Sequence, residues 1–220
     1  MKKTLLTFSL ALACASIPPI LHAEGDIHVG KEKAAACASC HGADGNSVVG
    51  TFPKLAQQHV SYLAKELHAF KNGTRKDPMM SAMAMSLTDD DINDIAAYYA
   101  GQRISHNALP VPDADDDEPV ADNAKSVQTL ITQGSDLYRN GDLAREVSAC
   151  IACHGPTGEG NKPAAFPSLK SQHADYLIKA LTDFKSGARS NNPENMMHMI
   201  AKKMSPEEIK AVAYRISMMQ

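Results

Sequence analysis

The sequence predicts an all-α protein built from two tandem units of one plan. Three observations carry this. The second half of the chain repeats the first: Phe52-Pro53-Lys54-Leu55 returns as Phe166-Pro167-Ser168-Leu169, Gln58-His59 as Gln172-His173, and Tyr62 as Tyr176. Arg75 likewise returns as Arg189, and Met79-Met80 as Met196-Met197. Apolar residues recur at three- and four-residue spacing in both halves, and no alternating stretch long enough for a useful strand appears. Each half also carries one Cys-x-x-Cys-His motif, at Cys37–His41 and at Cys150–His154.

In chain order, residues 1–23 read as an export signal. Lys2 and Lys3 form a basic start, Leu5 to Ala15 an apolar run too short to span a bilayer comfortably, and Ala23 a small residue suited to cleavage. The competing reading of this leader is lipidation at Cys14, since Ala11-Leu12-Ala13-Cys14 weakly resembles a lipoprotein signal. The first unit spans 24–108. A helix is expected over Val29–Ala38. Leu63, Leu67 and Phe70 mark a second helix, stopped by Gly73. Thr88 caps a third, with Asp89, Asp90 and Asp91 in its first turn and Ile92, Ile95, Ala96 and Tyr99 on its apolar face. Residues 109–124, rich in proline and acid, read as a linker. The second unit spans 125–220. Its first helix is expected over Ser135–Ala149 with Gly141 interrupting it, and its second around Leu177, Leu181 and Phe184, stopped by Gly187. In the last, Ser205, Pro206 and Glu208 form a capping box ahead of Ile209, Val212, Ala213 and Ile216.

Charge is uneven: −2 over 24–110, −6 over 111–124 and +3 over 125–220. This pattern suggests no nucleic-acid binding. It is either neutral drift or a dipole that orients the molecule at its partners.

Four of the five cysteines lie in the two motifs. Two disulfides would suit an oxidising compartment, but they explain neither the repeated spacing nor the adjacent histidines. A thioredoxin-type dithiol wants a βαβ context that is not visible, and a zinc site would have to join pairs more than a hundred residues apart. Covalent c-type haem attachment accounts for all of it. Cys37 and Cys40, then Cys150 and Cys153, would form thioethers with the vinyl groups of two haems, while His41 and His154 offer imidazoles to the irons. Units of this size also have small cores of their own, which a covalently held haem would supplement.

The sixth ligand is sought among eight methionines before the final helices. When the units are registered on Thr88 and Ser205, only Met79/Met196 and Met80/Met197 remain equivalent, and the other methionines read as core filling. His59 and His173 also correspond; they read as exposed helix residues, with bis-His ligation as the alternative. His28, His68, His106 and His198 lack counterparts and read as surface residues.

With the haem motifs, the Phe-Pro-x-Leu segments, the Gln-His-x-x-Tyr segments and the Met-Met pairs in place, the chain resembles the cytochrome c4 family over essentially all of its mature length. The resemblance implies two tandem class I cytochrome c domains in the periplasm, each enclosing one covalently bound haem c. It selects Met80 and Met197 as axial ligands beside His41 and His154, and it implies that the backbone of Pro53 and Pro167 orients the histidine rings. The acidic linker is longer than the family's. A monomeric one-electron carrier between respiratory complexes follows, from a quinol-oxidising complex toward a terminal oxidase, with peripheral membrane association allowed. The competing readings are an electron-accepting dihaem subunit of a dehydrogenase or flavocytochrome, and a dihaem peroxidase. The peroxidase would need a displaceable ligand, which paired methionines in both units oppose.

Overall fold

The computed structural model describes residues 25–110 and 120–220, with only the backbone of 120–125. The leader with Cys14, and residues 111–119 of the acidic segment, lie outside this range. The first unit contains α1 (Ile27–Lys33), α2 (Ala38–His41), α3 (Val60–Lys71), α4 (Pro78–Met85) and α5 (Asp89–Ala100). The second contains α6 (Val120–Asn140), α7 (Ile151–His154), α8 (Ala174–Ser186), α9 (Met196–Ala201) and α10 (Pro206–Ser217). Among the described residues there are only isolated β-bridges, and no helix is long and apolar enough to cross a membrane.

The first helix of each unit crosses the last. At these crossings glycine is required by space: a Cβ on Gly30 would lie 2.0 Å from the Asp94 carbonyl oxygen, and one on Gly134 would lie 2.0 Å from that of Ala211. The cores form where these pairs meet the middle helix. Leu63, Ile95, Ala96 and Tyr99 are buried in the first unit, and Leu177, Ile209, Val212, Ala213 and Ile216 in the second. Each large apolar side chain so buried contributes about 1.5–3 kcal/mol. Both final helices start with capping boxes, Thr88 with Asp91 and Ser205 with Glu208, and Gly187 caps α8 in the left-handed region.

The first helices differ from expectation. The segment Val29–Ala38 divides: α1 ends at Lys33 and a 3₁₀ turn over Ala34–Ala36 follows. In the second unit, α6 begins at Val120, inside the segment read as linker, and ends at Asn140 instead of running on past Gly141. Gly141 takes φ 65°, and Asp142 and Val147 exchange backbone hydrogen bonds at 2.8 Å, closing a turn that residues up to Ala149 were expected to spend as helix. A further short helix carries the methionine pair in each unit.

Candidate haem-binding sites

Each Cys-x-x-Cys-His motif folds as a single helical turn. The His41 amide donates to the Cys37 carbonyl at 3.0 Å, and that of His154 to Cys150 at 3.0 Å. Spacings of three and four residues put both sulfurs and the ring on one face of the turn. Gly42 and Gly155, at φ 82° and 77°, then turn the chain away. All four cysteines are unpaired thiols, half-buried; burial pushes the Cys37 thiol up and that of Cys150 to about 11.

His41 and His154 are buried. His41 Nδ1 lies 2.9 Å from the Pro53 carbonyl oxygen, and His154 Nδ1 lies 3.1 Å from that of Pro167. A carbonyl only accepts, so each Nδ1 carries the proton and each Nε2 keeps its lone pair. Burial pushes both rings toward the neutral form that a metal needs. Phe52 and Phe166 pack near these rings, with centroids 6.4 Å away in both units.

The methionine helices are entered differently. Asp77 caps α4, its Oδ1 accepting the Met79 and Met80 amides at 3.1 and 3.0 Å. Before α9, Glu194 and Asn195 take left-handed φ of 50° and 58°, and Asn192 Oδ1 accepts the Met197 amide at 2.9 Å. In both pairs the first methionine is the exposed one, Met79 at 55 % and Met196 at 38 %, whereas Met80 and Met197 are half-buried. Asn192 Nδ2 and Arg215 Nε are buried without a protein partner. In the second unit these leftover donors, with the Cys150 and Cys153 thiols and the His154 lone pair, are what a large group with acceptor oxygens, such as haem, would satisfy; the first unit has the same thiol and imidazole set. The residues therefore fit the group.

The structure also shows a seam between the units that the sequence reading missed. Gln58 donates to the Ser168 carbonyl and accepts the Ser168 amide, both at 2.9 Å. Gln172 makes the same pair with Lys54, at 2.9 and 2.8 Å. Beside them, Tyr62 accepts from Arg189 at 3.0 Å and Tyr176 from Arg75 at 3.2 Å. Burial pushes the Tyr62 hydroxyl up to about 12, which keeps its proton on. Each guanidinium stacks on its own unit's phenylalanine, Arg75 on Phe70 and Arg189 on Phe184. One buried carboxylate, Glu66, accepts from Arg75 at 2.8 Å, Arg189 at 3.1 Å and Asn191 at 2.8 Å. Its repeat position holds Ala180, so one acid serves both arginines.

His59 and His173 are corrected by this seam. They are not exposed helix residues but half-buried N-caps, whose Nε2–H groups donate to the Glu159 and Ser47 carbonyls of the opposite unit at 2.7 and 2.8 Å. His198 is likewise half-buried, its Nδ1 held by the Phe184 carbonyl at 2.7 Å, and His68 is half-buried beside Asp89. His28 and His106 are exposed. The available signal was the repeat itself: Gln-His-x-x-Tyr and the later arginine return in both halves although haem attachment does not need them.

Comparison with known proteins agrees with this plan. The cytochrome c family model matches residues 28–101 and again 131–217. Cytochrome c4 of Azotobacter vinelandii is 42 % identical, over 97 % of both chains. The chain belongs to the cytochrome c4 family. The crystal structure of reduced recombinant cytochrome c4 from Pseudomonas stutzeri superposes with a TM-score of 0.79 at 37 % identity, covering 89 % of this chain and all of that one. A thiosulfate dehydrogenase electron acceptor of Stutzerimonas stutzeri is 35 % identical over 82 % of this chain and 77 % of its own. As a member of the cytochrome c4 family, the protein is a dihaem electron carrier and not an enzyme. It holds two covalently bound haem c groups and works with redox partners.

Proposed function

We propose that this cytochrome c4 family member, exported by a leader cleaved after Ala23, carries single electrons in the periplasm from a quinol-oxidising complex toward a terminal oxidase. In this reading Cys37, Cys40, Cys150 and Cys153 hold the haems, with His41 and Met80 on one iron and His154 and Met197 on the other. The observation that carries it is the shared geometry of the two units: a histidine fixed through Nδ1 by a proline carbonyl, and a methionine pair whose second member is the half-buried one. Bound haem c supplies a one-electron iron couple, whose potential a thioether ligand raises relative to bis-His ligation. The protein's own residues hold and bury the two histidines, and with Met80 and Met197 as the second ligands they would take up the positions a substrate would need.

The test is the far-red sulfur-to-iron charge-transfer band of the oxidised protein. Met80→Ala and Met197→Ala should each halve it, and Met79→Ala and Met196→Ala should leave it intact. Halving in the Met79 and Met196 variants instead would move the ligands by one residue. Absence from the unmodified protein would remove the methionine ligation altogether.

A second reading, an electron-accepting subunit docked on a dehydrogenase, is favoured by the likeness to the thiosulfate dehydrogenase electron acceptor. Co-purification from native membranes separates the two: a dehydrogenase in constant ratio supports the second, and an oxidase or quinol-oxidising complex the first.

A further inference from the structure

The two units differ in charge at the position directly after the proline that holds each histidine. Where the second has Ser168, the first has Lys54. Lys54 is only 3 % exposed. Its ammonium donates to the Ser105 carbonyl and to Asn107 Oδ1, both at 2.7 Å, and both acceptors are neutral. No carboxylate pairs with it among the described residues. Its backbone is fixed by Gln172 on both sides of the peptide. The residue just before it, Pro53, supplies the carbonyl that holds His41 Nδ1 at 2.9 Å. Gln58 fixes Ser168 in the same way, next to Pro167 and His154. The two histidines therefore share one carbonyl arrangement, and a buried cation directly follows it only in the first unit; Asn107, which holds that cation, also donates through Nδ2 to the Ser171, Gln172 and Ser217 carbonyls across the seam.

We propose that Lys54 tunes the first of the two redox sites, raising its potential above the value it would have with a neutral residue in that place. The proposal rests on the reading of His41 as an iron ligand and names a residue that tunes that site. An oxidised site carries one more positive charge than a reduced one. A nearby cation shielded from water disfavours the oxidised form, and low local polarity makes that repulsion reach further than it would in solvent. Ser168 exerts no such effect. Lys54 thus moves the resting place of a single electron toward the first unit. It is a positioning residue for charge: it touches no reacting atom.

The test is a spectroelectrochemical titration of the haem-loaded protein and of Lys54→Gln, Lys54→Met and Lys54→Arg. The two couples are assigned by nuclear magnetic resonance through haem contacts with residues of each unit. Lys54→Gln keeps a hydrogen-bond donor and Lys54→Met keeps the buried stem, but both lose the charge. Each should lower the first potential and leave the second in place, while Lys54→Arg should keep the first near its original value. Unmoved potentials in both neutral variants would overturn the proposal. So would equal shifts in the Arg and neutral variants, which a purely structural role produces. The titration needs no partner protein, so its result stands apart from whether the proposed donor and acceptor are right.

Discussion

Replacing Glu66 by glutamine tests what holds the two haem units in one orientation. The carboxylate accepts three hydrogen bonds, two of them from guanidinium groups of opposite units, and the side chains of Glu66, Arg75 and Arg189 are 7 %, 14 % and 9 % exposed. Solvent screening is therefore slight. Removing one partner of a buried ion pair costs about 3–5 kcal/mol. Here it leaves two like charges facing each other with no counter-charge. Glutamine keeps one acceptor oxygen but turns an amide N–H₂ toward a guanidinium, so the loss belongs in that range. Most of it falls on the seam, because two of the three partners, Arg189 and Asn191, belong to the other unit. The equilibrium for opening the seam should then rise roughly a hundred- to several-thousand-fold. Two amides report opening directly: Lys54 N–H and Ser168 N–H donate to glutamines of the other unit. Their hydrogen-exchange rates in the haem-loaded Glu66→Gln protein should rise by that factor, while core amides of α5 and α10 stay protected. Unchanged exchange at both amides would refute the assignment of Glu66 as the seam's clasp.

The seam should also loosen in acid. Burial lowers the pKa of both His59 and His173, so their contribution is complete above the ordinary imidazole pKa of about 6.5 and is lost as pH falls through the depressed native values. Exchange of the same two amides, corrected for intrinsic rate, should accelerate on acidification. A His59→Gln/His173→Gln protein should flatten that profile, and an already flat profile in the unmodified protein would refute the mechanism. Intact mass should equal the chain from Glu24 plus two haems. A mass with two disulfides and no haem contradicts the cofactor assignment, retained leader residues correct the cleavage site, and added lipid on Cys14 replaces cleavage after Ala23 by the lipoprotein reading.

Local signals were legible where chemistry or capping dictates them. The haem motifs, Thr88, Ser205 with Glu208, and the apolar faces of the last helices could all be read from spacing, because each depends on residues within a few positions. The extent of α6 could not. Val120 lies among prolines and acids, and the close approach that the helix makes, Gly134 against Ala211, joins residues 77 apart in sequence. Among the candidate site residues, the histidines follow from their motifs, whereas the choice of Met80 and Met197 over their neighbours rests on which member of each pair is half-buried, which spacing alone does not show. His59 and His173 were misread because a half-buried N-cap beside another domain looks, in sequence, like any polar residue opening a helix.

The reciprocal glutamines have a consequence for how such a chain can change. Each half lends its side chain to the other at the matched position, which is the geometry of a self-complementary dimer interface. In a dimer of identical chains every interfacial residue appears twice, so charges can only be added or removed in pairs. Joining the halves in one polypeptide replaces a partner at cellular concentration with one held at high effective concentration. It also lifts the parity rule. Glu66 without a second copy, serving two arginines, is an odd number that only the fused chain can hold.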